Sequence, residues 1–224
     1  MKSRNINKLK PKKFLSIGRH DLPHVGDLTK PYFVVAGCSF TAGTGLDYKN
    51  TWPSILGEKL GLQHINIALE GSSMEYQYDK ISEAEKTLTE AKFIVWMQTY
   101  PVRTHRNKVL SFLLGDLKAR VMINEQLFRK PDHLMEQWNK IKKYNDLVKD
   151  KNIYIVNCWY WDKKLLHLFK HKICKNNTRC ILNELMQVDD AQFDSHPGVE
   201  SNKMIAEKIY SHICSFNPVL EKNK

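Results

Sequence analysis

The 224-residue sequence contains no apolar run long enough to cross a membrane. Its longest runs, Phe93 to Met97 and Ile153 to Val156, are strand-sized. No apolar stretch follows the basic N-terminus, so no secretory leader is expected. Cysteine is too sparse and scattered for a disulfide framework: Cys38, Cys158, Cys174, Cys180 and Cys214 are an odd number in a chain large enough to bury a core. Free thiols are the expectation, and with them a reducing, cytoplasmic setting (virion-associated if the chain is viral). Repeats, heptads, low-complexity tracts and Gly/Ser linkers are all missing. Acidic residues are absent from the first 20 positions, which carry Lys2, Arg4, Lys8, Lys10, Lys12, Lys13 and Arg19. The formal net charge is +11, and much of it lies in this arm. Such a field attracts nucleic acid, anionic glycans or acidic surfaces, although a solvated tail is the simpler account of it. The organisation expected is a basic arm over 1–30, partly flexible, one domain over 31–216 and a short tail over 217–224.

Past residue 30, short apolar runs alternate with longer amphipathic ones, the pattern of a parallel α/β sheet. Tyr32-Phe-Val-Val-Ala36 is continuously apolar, as a strand covered on both faces should be. Further strands are predicted over 64–68, 93–97 and 152–157. Thr51 as N-cap with Pro53 in the first turn, and Gly61 as the stop, bracket one helix. Others are predicted over 74–91, 105–116, from an Asp132 cap to 148, over 161–172, and over 199–214. In the last, Met204, Ile205, Ile209 and Ile213 would form the buried face. Strand and helix alternating at these lengths indicate a doubly wound fold, whose ligand crevice lies at the carboxyl ends of the strands.

Polar segments fall where that crevice should be. Gly37-Cys-Ser-Phe-Thr-Ala-Gly43 follows the first strand, Glu70-Gly-Ser-Ser73 the second, and Gln98 to Arg103 the third. Phe193-Asp-Ser-His-Pro-Gly198 directly precedes the last helix. Ser39, among small neighbours that let the backbone turn tightly, suits a nucleophile with main-chain N–H groups near a developing oxyanion. His196, in a turn set by Pro197 and Gly198, suits the base that takes the serine proton. A carboxylate must hold that imidazole in the right tautomer. Asp194 is the nearest candidate, with Asp189 and Asp190 upstream.

These blocks resemble those of the SGNH (GDSL-type) ester hydrolases. The segment 37–43 resembles the opening Gly-Asp-Ser-x-Thr-x-Gly block, Gly71 matches the glycine after the second strand, and Asp194-Ser-His-Pro-Gly198 resembles the closing Asp-x-x-His block. The resemblance covers about residues 32–214. It implies a flavodoxin-like α/β fold, a three-layer α/β/α arrangement with a central, mostly parallel sheet. It also implies Ser39 as nucleophile, His196 as general base, and the N–H groups of Ser39 and Gly71 in the oxyanion hole. The chain departs from the family in three places. Cys38 stands where the first block has Asp, the closing Asp is two rather than three residues before the histidine, and the third block's asparagine is missing. Gln98 offers the same carboxamide donor, and Thr99 a hydroxyl. Loss of one oxyanion donor costs about 10²–10³ in rate.

Other groups carry less. Thr99, Arg103 and Trp159 are candidate substrate contacts, with His105 and Arg106 near the same crevice and Tyr160 and Trp161 beside Trp159. His167 and His171 stand i,i+4, followed by Cys174 and Cys180. That spacing fits no standard zinc module, and Leu165, Leu166, Leu168 and Phe169 read as helix packing. No metal and no cofactor are expected. The function expected is hydrolysis of a small-molecule or glycan ester, such as an acetylated sugar, through an acyl-enzyme. Its rival is an SGNH-fold binding protein, catalytically weak or inactive, that uses the basic arm to engage nucleic acid or a virion or cell-surface partner. No membrane partner is expected, and the oligomeric state is left open.

Overall fold

Three runs apolar along almost their whole length become strands because helices cover both of their faces. The computed structural model describes residues 29–101, 131–157, 167, 172, 179–181, 188–191 and 196–217. In it β1 is Tyr32–Ala36, β2 is Gln63–Asn66, β3 is Ile94–Gln98 and β4 is Ile153–Asn157. Every residue of β1, β3 and β4 is buried. A two-residue strand, β5 (Cys180–Ile181), pairs with β4, setting Cys180 opposite Ile155 and Ile181 opposite Val156. The sheet runs β2-β1-β3-β4-β5, and each neighbouring pair is parallel.

The helices are α1 (Ser39–Ala42), α2 (Trp52–Leu60), α3 (Met74–Thr87), α4 (Pro131–Val148) and α5 (Val199–Phe216). The period-2 alternation of the strands sorts them into two layers. Phe33 lies under α2, where a Cβ on Gly57 would be 3.8 Å from its ring. Tyr154, on the same face, meets His212 of α5 at 6.5 Å between ring centroids, and Lys59 pairs with Glu207 to join α2 to α5. On the other face Trp96 meets Tyr78 of α3 and Tyr144 of α4 at 6.4 and 6.2 Å. Lys140 and Glu75 join those two helices at 2.8 Å. The architecture is therefore three-layer α/β/α. Because the chain leaves β1 for β2 on one side and reaches β3 on the other, its topological switch point lies between the carboxyl ends of β1 and β3.

Several expectations shift. Strand β2 ends at Asn66, not 68, although Ile67 N–H still donates to Val35 O and Leu69 N–H to Gly37 O; the Asn66 side chain ties this end to the serine turn, its Oδ1 accepting from Ala68 N–H and its Nδ2 donating to Thr41 O. Helix α3 stops at Thr87, where Leu88 leaves helical dihedrals (φ −114°, ψ 53°) with its side chain buried. Helix α4 already includes Pro131, so Asp132 lies within it and is not its cap. On α5 the buried stripe is Ser201, Asn202, Ile205, Ala206, Ile209, Tyr210, Ile213 and Cys214, and Met204 faces outward at 40% exposure. Cys38, Cys180 and Cys214 are buried and form no disulfide. Among the described residues no helix is long and apolar enough to cross a membrane. The basic arm and the predicted helices 105–116 and 161–172 lie outside the described residues, except Thr29, Lys30, His167 and Lys172.

Candidate active site

Strand β1 ends at Ala36 and the chain bends at Gly37 into α1, whose first residue is Ser39. A Cβ on Gly37 would sit 2.1 Å from Thr41 Oγ1 and 3.1 Å from Met97 O, so only glycine lets this turn close against the end of β3. Cys38 O accepts from Thr41 and Ala42 N–H, and Ser39 O accepts from Gly43 and Thr44 N–H. Gly43 ends the turn in the left-handed region, at φ 79°. Ser39 is thus held at a fixed position in a single helical turn, 6% exposed.

The segment after β2 wraps this turn. Gly37 O accepts from both Leu69 N–H (3.1 Å) and Ser72 Oγ (3.0 Å), and Thr44 Oγ1 donates to Glu70 at 2.6 Å. Gly71 lies exposed at the bend, with φ 67°. A Cβ there would touch nothing within 4 Å, so the backbone conformation alone requires glycine.

The end of β3 differs from the expectation. Gln98 is fully buried, and its Nε2 donates to Asn145 of α4 at 3.4 Å. It lies on the same face of β3 as Trp96, in the layer of α3 and α4, because strand residues two apart share a face. Thr99 is 1% exposed, and its N–H donates to Gln77 Oε1 at 3.2 Å.

His196 reaches the site from the turn before α5. Its ring meets the edge of Phe40, the neighbour of Ser39, with centroids 5.7 Å apart and planes at 81°. Residues 189–191 pair back on this turn: Ala191 N–H donates to His196 O, Gly198 N–H donates to Asp189 O, and Asp190 bridges Pro197. A Cβ on Gly198 would lie 2.4 Å from Asp189 Oδ2. The carboxylate of Asp189 is committed elsewhere: it accepts from Glu200 N–H, Ser201 N–H and Ser201 Oγ at 2.9, 2.7 and 2.5 Å. It therefore caps α5 and is withdrawn as a partner for His196. Burial pushes its pKa up, but these hydrogen bonds outweigh that and hold it below the ordinary aspartate value. Asn202 locks the same turn to the serine side of the fold. Its Nδ2 donates to Pro197 O and Gly198 O, both at 2.9 Å, and its Oδ1 accepts from Trp52 N–H, at the start of α2, at 2.8 Å.

Ser39, Gly71 and His196 thus stand in turns that converge on one edge of the sheet, while Gln98 lies in the interior. Asp194, Arg103 and Trp159 fall outside the described residues. So do His171 and Cys174, and among the described residues no three His, Cys, Asp or Glu side chains gather as metal ligands. The residues that sequence reasoning missed are Ser72, Gln77, Asp189 as a cap, and Asn202. Only Asp189 carried a local signal, an acidic side chain upstream of a helix whose own N-cap is glycine.

No family model matches the chain, and no curated protein matches it in sequence. Solved structures do resemble it. A G-D-S-L family protein from Desulfitobacterium hafniense DCB-2 superposes with TM-score 0.53 at 16% identity, over 81% of this chain and 98% of that one. TesA gives TM-score 0.53 at 10% identity over 84% and 99% of the two chains. The psychrotrophic esterase EstA from Pseudoalteromonas sp., in a structure inhibited by monoethylphosphonate, gives 0.51 at 12% over 83% and 97%. At such identities the likeness speaks for architecture, and the chain has the three-layer fold of the SGNH hydrolases.

Proposed function

We propose that the protein is a serine ester hydrolase acting on small O-acyl esters, O-acetylated carbohydrate among them. The observation that carries this reading is the edge contact of Phe40 with His196, which brings the serine turn and the histidine turn together from opposite ends of the chain. Ser39 Oγ attacks the ester carbonyl carbon and His196 accepts the hydroxyl proton. The oxyanion forms near the N–H groups of Ser39 and Gly71. Collapse expels the alcohol, which takes the proton from His196, and leaves an acyl-serine. Water then attacks that ester, giving its proton to His196; the acid departs and Ser39 recovers its proton. Asp194 is the proposed orienting carboxylate, with Asp190 as the alternative. Thr99, Arg103 and Trp159 are proposed substrate contacts. Gln98 is left out of the oxyanion hole, since it is fully buried in the layer of α3 and α4, where its amide donates to Asn145.

The position of Gln98, together with the net charge of +11, favours one rival: a binding protein that keeps the fold and engages nucleic acid through its basic arm. Two measurements separate the readings. Hydrolysis of p-nitrophenyl acetate at pH 8 should fall to background in Ser39→Ala and by about 10²–10⁴-fold in His196→Ala. A phosphonate probe should add to Ser39 in the wild type only. Equal slow hydrolysis by all three proteins, with no adduct, overturns the esterase reading. Salt-sensitive retention on DNA that is lost on deleting residues 1–20 would then support the rival.

A further inference from the structure

One buried side chain is hydrogen-bonded, directly or through a single serine, to segments at the ends of three different strands. Gln77, 2% exposed, sits in the first turn of α3, where Ser73 fixes it: Ser73 Oγ accepts from Tyr76 N–H and Ser73 O from Gln77 N–H. Its carboxamide nitrogen donates to Ser72 Oγ at 2.9 Å, and Ser72 Oγ passes the chain on to Gly37 O at 3.0 Å. Its carboxamide oxygen accepts from Trp96 Nε1 at 2.8 Å and from Thr99 N–H at 3.2 Å. One amide therefore ties the segment after β1, the segment after β2 and the end of β3 in a single directed network. The direction is forced: Trp96 Nε1 and Thr99 N–H can only donate, and Gly37 O can only accept. A glutamine supplies the acceptor and the donor at once, with Ser72 as the relay.

We infer that Gln77 is a positioning residue for the reaction, holding Gly71 at its distance from Ser39 and so setting the oxyanion hole. This deepens the esterase reading and rests on it. Ser72 directly follows Gly71, and Gly37 lies two residues before Ser39, so the Gln77–Ser72–Gly37 chain spans the two proposed oxyanion donors. Since an oxyanion develops only in the transition state, loosening the pair lowers kcat and leaves KM nearly unchanged.

The test uses Gln77→Met, which keeps length and volume without hydrogen bonds, Gln77→Glu, which keeps the two acceptor contacts, and Ser72→Ala, which cuts only the relay. Amide hydrogen exchange at residues 69–73 and 98–100 should quicken about tenfold in Gln77→Met, while β4 and α5 keep the wild-type rate. With p-nitrophenyl acetate, kcat should fall about 10- to 100-fold in Gln77→Met and in Ser72→Ala. KM should move less than about twofold, and the double variant should be no slower than Gln77→Met alone. Exchange at 98–100 should return towards wild type in Gln77→Glu. Unchanged exchange in Gln77→Met, or losses that simply add in the double variant, overturns the inference. If the wild type shows no Ser39-dependent turnover, the esterase reading fails, and the exchange result alone decides whether Gln77 holds these segments.

Discussion

Replacing Asn202 by alanine should cost the protein about 2–4 kcal/mol, because one buried amide makes three hydrogen bonds across the fold. Gly198 O keeps a partner after the change, since Asn202 N–H of the helix also donates to it at 3.0 Å. Trp52 N–H is left in a worse position. It opens α2, lies beside a fully buried indole, and loses Oδ1 with no helical acceptor available to a first-turn donor. A stranded buried N–H costs about 1–3 kcal/mol, and the lost bond to Pro197 O adds about 1 kcal/mol. Against a typical total of about 5–15 kcal/mol for a domain, the loss is large but survivable. Urea unfolding followed by circular dichroism should show a lower midpoint at unchanged slope. Asn202→Asp separates the two halves of the interaction. It keeps an acceptor for Trp52 N–H but sets carboxylate oxygen against two carbonyl oxygens, which raises the folded-state pKa of the new carboxyl above its unfolded value of about 3.9. Such a group is destabilising once pH exceeds that range, so Asn202→Asp should be closer to wild type at pH 4 than at pH 8. A loss below about 0.5 kcal/mol in Asn202→Ala would refute the claim that this amide locks the histidine turn to the serine side.

Gly37→Ala should destabilise by about 1–3 kcal/mol or more, since its Cβ would meet Thr41 Oγ1 at 2.1 Å; a melting temperature lowered by less than about 2 °C, the shift that about 1 kcal/mol produces at this size, would contradict the packing described. Asp189→Ala should cost about 1 kcal/mol as the loss of the α5 cap, read by urea unfolding at pH 7. Because the carboxyl of Asp189 is held below its ordinary value, its contribution is present above the unfolded pKa of about 3.9 and is lost as pH falls through the lower folded value. The gap between wild type and Asp189→Ala should accordingly narrow in acid, and a gap independent of pH down to about 2 would reject the assignment.

The strands were legible because a strand covered on both faces has to be apolar at every position, which is why Tyr32–Ala36 could be read directly from the sequence. Helix α2 was legible at both ends, since Pro53 in its first turn and Gly61 in the left-handed region act through local backbone geometry; Thr51 holds the N-cap position, but its hydroxyl donates to Tyr48 O and does not cap the helix. Strand β5 was not: two residues hold no periodicity, and only pairing with Ile155 and Val156 makes them a strand. Met204 faces outward because the buried face of α5 is not purely apolar: it includes Ser201 and Asn202, polar residues that bond Asp189, Trp52 and Pro197, and a pattern of apolar residues alone does not show them.

The sequence alone determined which turns carry Ser39, Gly71 and His196, since strand ends and small residues are local properties that neighbouring residues express. Only the tertiary structure decided what those turns rest on. It committed Asp189 to a helix end, sent Gln98 inward to Asn145, and gathered Ser72, Trp96 and Thr99 around Gln77. Each of these outcomes depends on which polar groups a parallel sheet brings within about 3 Å of one another once water is excluded, and that distance is set by packing between segments far apart in the chain.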